Sequence, residues 1–312
     1  MSSRPHTSRI RLIASTLLLT CFLGTLSNSA ATKPEKPFAI MTQKRVSKGN
    51  TGAFKTVTEK ELWAPSKTAI IVCDVWDLHH CKNAVMRVKE MAPRMNQLIE
   101  KAREEGALII HSPSSCVDFY EGHPARLRAQ NVPKATNLPE DIGNWCYQIP
   151  AEEQAVYPLD QSDGGEDDDP TEHAAWAKYL ADMGRNPGSP WVRQYDVIKI
   201  HSVDAITDDG KEVWSLLEHH DIENVLLVGV HTNMCVLGRP FGLRQLSKNG
   251  KNVALVRDMT DAMYNPKMWP YVNHYRGTDL IIEHIEKFVC STTTSDQILG
   301  GTPFRFSGDP DR

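Results

Sequence analysis

The chain has 312 residues, a formal net charge of −4 and 24% charged residues. This acidic balance lacks the basic footprint that nucleic-acid binding needs, which excludes that class of partner. The length is enough to bury a large core, as one domain with insertions or as two small ones.

Taken in order, the chain opens with Arg4, Arg9 and Arg11, then the apolar run Leu12 to Leu26, then Ser29-Ala30-Ala31. That is the charged, apolar and cleavage-site order of a secretory signal peptide. The run of 15 residues is shorter than the roughly 20 that a spanning helix needs. Residues 1–31 therefore read as a signal peptide, and the protein as exported (periplasmic or extracellular) with no stable membrane span after cleavage. Cleavage would remove three arginines and no acid, taking the net charge from −4 to −7. Residues 32–66 are rich in Lys, Pro, Thr and Ser with little periodicity, and read as an arm lying over the domain.

The ordered core starts at Thr68-Ala69-Ile70-Ile71-Val72-Cys73-Asp74, a buried-strand run ending in a carboxylate. Val85 to Glu105 carries Val88, Met91, Met95, Leu98, Ile99 and Ala102 at helical spacing, and Gly106 stops it. Ala107 to His111 is the next strand. Strand, helix and strand in this order make a βαβ unit and imply a parallel sheet. From 112 to 192 the pattern dissolves into a long insertion rich in Pro, Gly, Asn and Asp, with Trp145, Trp176 and Trp191; only Thr171 to Met183 has helical spacing. A loop that long inside a domain is expected to be functional or a lid. Its acidic run Glu166-Asp167-Asp168-Asp169 lacks the alternating ligand spacing of a calcium loop and reads as solvated.

Tyr195 to Ile200 is expected as a third strand with Lys199 near its end. Lys211 to His220 should be a helix and Asn224 to Val230 a fourth strand. A helix should run from Cys235 to Asn249, interrupted by Pro240. Val253 to Asp258 is a fifth strand, Asp279 to Phe288 a helix, and Thr292 to Leu299 a possible sixth strand; residues 301–312 read as a loose tail. The expected fold is α/β, a three-layer α/β/α sandwich with a mostly parallel, Rossmann-like sheet of five or six strands spanning 67–300.

Three residues then occupy equivalent positions. Asp74 ends strand one, Lys199 ends strand three and Cys235 follows strand four, so a parallel sheet carries all three to one edge. A cation and a helix N-terminus would lower the thiol pKa from about 8.5. The carboxylate could accept the thiol proton and return it to a leaving nitrogen. Backbone N–H groups in the turn before Cys235 could hold the developing oxyanion. Six cysteines follow the signal peptide, and if Cys73 and Cys235 are set aside, the other four allow three disulfide pairings, Cys116 with Cys146 among them.

On the segments Ala69 to Asp74, Val197-Ile198-Lys199 and Val228 to Val236, the chain resembles the isochorismatase-like cysteine hydrolases, a group that includes nicotinamidases, N-carbamoylsarcosine amidohydrolases, ureidoacrylate hydrolases and isochorismatases. The resemblance implies Cys235 as nucleophile, Asp74 as general acid/base and Lys199 as electrostatic partner. It also implies a cis Val230–His231 peptide and an oxyanion hole from the N–H groups of His231 and Cys235. The chain departs from the pattern in its pocket wall, where Trp76 and His79 replace the usual Gln and aromatic. It departs again after the cysteine, at Leu237-Gly238-Arg239-Pro240. Trp76, His79 and Arg239 are the candidate substrate contacts, with Arg239 placed to hold a substrate carboxylate.

No cofactor is expected. His111-Ser112-Pro113-Ser114 lacks the Asp-x-His of the metal-binding relatives, so no metal is expected either, although His79, His80, His111 and His123 could gather one. The expected activity is hydrolysis of a C–N bond in a small amide or ureido compound by an exported enzyme. Isochorismatase-type vinyl-ether hydrolysis and a non-catalytic extracytoplasmic binding protein are the alternatives. A homo-oligomer is possible.

Overall fold

The computed structural model describes residues 1–2, 35–49 and 52–310. The signal peptide expected at 1–31 lies almost wholly outside the described residues. All elements belong to the unit Glu35–Arg312.

Two strands, β3 (Thr68–Cys73) and β6 (Asn224–Val230), are buried at every residue. A continuous apolar run of this kind needs cover on both faces. Ile70, Val72, Leu226 and Val228 face helix α1 (Lys82–Glu104) through Val88, Met91, Met95 and Leu98. The alternate residues Ile71, Val225 and Leu227 face α4 (Gly210–His219), α5 (Leu243–Lys248) and α6 (His274–Phe288), through Trp214, Leu246, Ile281 and Ile285. Helices therefore cover both faces, as the expected three-layer sandwich requires.

The remaining strands are β1 (Phe38–Ser47), β2 (Phe54–Trp63), β4 (Leu108–Ser112), β5 (Ala205–Ile206), β7 (Asn252–Asp261) and β8 (Ser291–Thr293). They form one eight-stranded sheet in the order β2-β1-β8-β7-β6-β3-β4-β5. From β8 to β5 every pairing is parallel; β1 pairs antiparallel with β8 and with β2.

Four sequence expectations change. Within the segment expected as an arm, β1 and β2 pair antiparallel in register from Phe38↔Trp63 to Ser47↔Phe54. β2 is the edge strand and is exposed along most of its length, and in β1 the buried Phe38 and Ile40 alternate with exposed but apolar Ala39 and Met41, so neither strand shows an apolar/polar period. Residues 195–200 form no strand: Tyr195 N–H bonds Val75 O at 2.8 Å and Ile198 N–H bonds back to Tyr195 O at 3.0 Å. The short β5 pairs β4 in their place. The acidic run is solvated only at Asp169; Asp167 and Asp168 turn their side chains inward. Asp168 accepts the N–H groups of Lys82 and Asn83 at the start of α1, at 2.7 and 2.8 Å. Asp167 pairs with Arg87 at 2.8 Å, while Asp169 caps α3 (Pro170–Asp182). The tail is packed, with Phe306 buried against Tyr275 and Phe304 N–H bonded to Asp258 at 2.9 Å. The possible sixth strand is present but short, and α7 (Asp296–Leu299) follows it.

Candidate active site

The carboxyl-terminal ends of β3 and β6 lie side by side, with Cys73 opposite Gly229. A Cβ on Gly229 would meet the Cys73 carbonyl oxygen at 1.9 Å, and its φ of +116° belongs to glycine. This close approach brings the residues after the two strands together. Asp74 follows β3 in a left-handed backbone conformation, φ 51°, uncommon for a residue with a side chain. β6 leads through a cis Val230–His231 peptide into a single π-type turn, Thr232–Val236. Asn233 ties that turn to the chain after β7: its amide donates to Met263 O at 2.7 Å and its carbonyl accepts Met263 N–H at 2.8 Å. Thr232 and Thr260 share a hydroxyl bond at 2.7 Å.

Asp74 is fully buried and Cys235 is 7% exposed. The carboxylate of Asp74 accepts the Ser114 N–H at 2.7 Å and the Arg239 Nε–H at 2.9 Å, and its charge acts on the neighbouring Cys235 thiol. Burial pushes the Cys235 thiol well above its ordinary range and Asp74 pushes it further; Arg239 and the His231 backbone N–H act the other way. The expectation of a thiol lowered by its surroundings is therefore corrected: sulfur inside a buried π-type turn beside a carboxylate keeps its proton. Burial also raises the Asp74 carboxyl, with Arg239 opposing it. A thiol, a carboxylate and a guanidinium thus stand together, an arrangement chemically able to pass a proton from sulfur to oxygen.

Lys199 is not in this set. Its residue is exposed, and its ammonium donates to the Asp196 carbonyl at 2.8 Å. The strand expected to carry it to the sheet edge does not form. The cation beside Asp74 is Arg239, which also lies 5.3 Å from the Trp145 ring centre. Arg239 was expected to hold a substrate carboxylate; here it is committed to Asp74.

Trp76 and His79 do border the site. Trp76 stacks on Trp191 with ring centres 4.5 Å apart, and its plane lies 12° from that of His79. Its indole N–H donates to Ser114 O at 3.1 Å. His79 meets His231 edge-on at 5.0 Å. Between Asp74, Trp76, His79 and His231 lies a cavity of about 10 Å³, room for one water molecule. The insertion supplies much of the cover. Trp145 packs on Gly238, where a Cβ would meet its ring at 2.4 Å. Trp176 donates to His79 O at 2.9 Å, and Tyr157 to Asn233 O at 3.0 Å. Tryptophans spaced through a polar segment were the sequence signal of this role. Nothing in the sequence pointed to Ser114 or Tyr157.

The four histidines named for a metal do not gather. His111 lies between Gln194 and Asp204, at 3.1 Å from each, and His123 caps α2 (Pro124–Asn131). The six described cysteines are free thiols, Cys116 and Cys146 among them.

No protein-family model matches the sequence, and no curated relative does either. Solved structures similar to this one are cysteine-hydrolase and isochorismatase-family proteins. They include a cysteine hydrolase from Pseudomonas syringae pv. phaseolicola (15% identity, 75% of this chain and 92% of that one, TM-score 0.45). An isochorismatase family protein from Burkholderia thailandensis shows 12% identity over 74% and 93%, TM-score 0.39. N-carbamoylsarcosine amidase from Thermoplasma acidophilum shows 13% over 74% and 97%, TM-score 0.39.

Proposed function

We propose that this chain is an exported cysteine hydrolase that cleaves a C–N bond of a small amide or ureido compound. The observation that carries the proposal is the buried set of Cys235, Asp74 and Arg239 at the edge of the parallel sheet, in which Arg239 bonds Asp74 at 2.9 Å and the Asp74 charge acts on the Cys235 thiol. Cys235 Sγ attacks the substrate carbonyl carbon as its proton passes to Asp74. Arg239 balances the negative charge, which moves from the Asp74 carboxylate onto the forming oxyanion. The N–H groups of His231 and Cys235 are the proposed donors to that oxyanion. When the C–N bond breaks, Asp74 returns the proton to the leaving nitrogen, and ammonia or an amine departs. A thioester or carbamoyl-sulfur intermediate remains on Cys235. Water then attacks it with Asp74 as base, the product acid leaves, and the thiol is restored.

The test is ammonia release from a panel of small amides and ureido acids. Cys235→Ala and Asp74→Asn should each abolish turnover while circular dichroism shows an unchanged fold. Full activity in either folded variant would sink the mechanism. Export is tested separately, by the amino-terminal sequence of the protein recovered outside the cytoplasm, which should begin close after Ala31.

A further inference from the structure

Where the tail crosses β1, β7 and α6, the molecule encloses a cavity of about 360 Å³, large enough for a small organic molecule. None of its lining residues belongs to the Cys235 site. Four arginines and four carboxylates line it, so its formal charge is nil. What it can bind depends on which of these groups are already engaged.

The carboxylates are engaged. Asp258 accepts the Ser295 N–H at 2.8 Å, the Ser295 hydroxyl at 2.7 Å and the Phe304 N–H at 2.9 Å. Glu286 accepts the Gln43 amide at 2.8 Å, the Arg45 Nε–H at 2.9 Å and the Thr292 hydroxyl at 2.6 Å. Glu283 accepts Arg276 at 2.9 Å, and Asp279 lies 4.0 Å from the same guanidinium. Arg45 and Arg276 are held by these contacts in turn.

The other two arginines are open. Among the described residues, neither Arg257 nor Arg305 has an ion pair. The half-buried Arg257 makes one hydrogen bond, to the Thr292 hydroxyl at 3.1 Å, which leaves most of its five N–H donors unused. Burial lowers its pKa, and Glu286, Asp258 and Asp296 oppose that only in part; the group stays charged at neutral pH. Arg305 is exposed, but its neighbours are fixed, Phe304 through Asp258 and Phe306 by burial. The tail therefore holds Arg305 at the cavity.

Unused guanidinium donors need a negatively charged acceptor. A carboxylate is planar, matches the guanidinium fork and brings a single charge. A phosphate dianion would set two charges near four carboxylates, and a neutral amide would bring none. Ile282, Pro303 and Phe304 supply an apolar wall for an organic body. We propose that this cavity is a binding site for a small organic carboxylate, held by Arg257 and Arg305.

The test is calorimetric titration of the full chain with benzoate, with benzamide as its uncharged counterpart and inorganic phosphate as the competing anion. Benzoate should bind, and the other two at least about tenfold more weakly. Arg257→Gln and Arg305→Gln should each weaken benzoate about tenfold, the scale of one charge-assisted hydrogen bond. Amide shifts of Phe304 and Arg305 should move on titration, and that of Cys235 should not. If Arg257→Gln fails to fold, the exposed Arg305→Gln and the amide shifts decide. Equal benzoate affinity in wild type and Arg305→Gln would overturn the proposal. So would no binding of benzoate, benzamide binding as tightly, phosphate binding more tightly, or shifts confined to Cys235.

Discussion

At the scale of single residues, the site depends on which cation stands beside Asp74. The sequence offered Lys199 as that cation, near the end of an expected strand at the catalytic edge, and Arg239 only as a contact for a substrate carboxylate. Chain position could not show which would fold inward. Arg239 follows the π-type turn directly, and its Nε–H reaches Asp74 at 2.9 Å. Lys199 lies in an irregular segment and bonds a neighbouring carbonyl. Lys199→Ala should therefore change kcat/KM by no more than about twofold, whereas Arg239→Ala should lower it by about 100-fold or more. Steady-state rates of the two variants on one substrate separate these roles. The pH profile has a fixed sign. Asp74 must be ionised to take the thiol proton, and its folded pKa lies above the ordinary 3.8. Activity should be present above that raised value and fall away as pH drops through it, starting higher than for an ordinary carboxylate. Arg239 holds the value down, so any residual activity of Arg239→Ala should show its acid limb at still higher pH.

At the scale of elements, what was legible followed how completely each segment is buried. β3 and β6 announce themselves as unbroken apolar runs because both faces are covered. Asp74 and Cys235 were legible for the same reason, as polar residues at the ends of those runs. β1 and β2 were missed because strands without an apolar/polar period resemble a tether. Residues 195–200 misled because their alternation is not matched by burial: only Ile198 there is buried. The insertion had no period to follow, yet its tryptophans marked the positions that cover the site. Trp145 docks against Gly238, where a Cβ would come within 2.4 Å of its ring. Gly238→Ala should therefore loosen the segment around Trp145 and, through Arg239, lower kcat/KM about tenfold at a small cost in thermal midpoint. Limited proteolysis should cut near 145–160 faster in the variant. Unchanged cleavage and activity would show that Trp145 does not support the site.

At the scale of the whole molecule, the insertion and the sheet are parts of one structure. The acidic run Asp167-Asp168 completes the amino terminus of α1, and Arg87 joins Asp167 to Asp261 at the end of β7. Ser114 N–H bonds the Asp74 carboxylate from the first residues of the same insertion. A chain without residues 112–192 should therefore not behave as a smaller hydrolase.

The six free thiols have a consequence for how such a protein would be made. Cys73, Cys81, Cys116, Cys146 and Cys235 are buried and only Cys290 is partly exposed, so the native state protects them by packing. In an oxidising compartment the unfolded chain has no such protection, and folding must outpace thiol pairing. Folded protein beginning after Ala31 should resist oxidised glutathione and present at most one fast thiol to Ellman's reagent, with six in denaturant. The same chain refolded from denaturant with oxidised glutathione present should lose yield to mispaired species, and a reductant should restore it. Under the proposed export, folding speed rather than disulfide formation would be the condition for a native chain with Cys235 reduced.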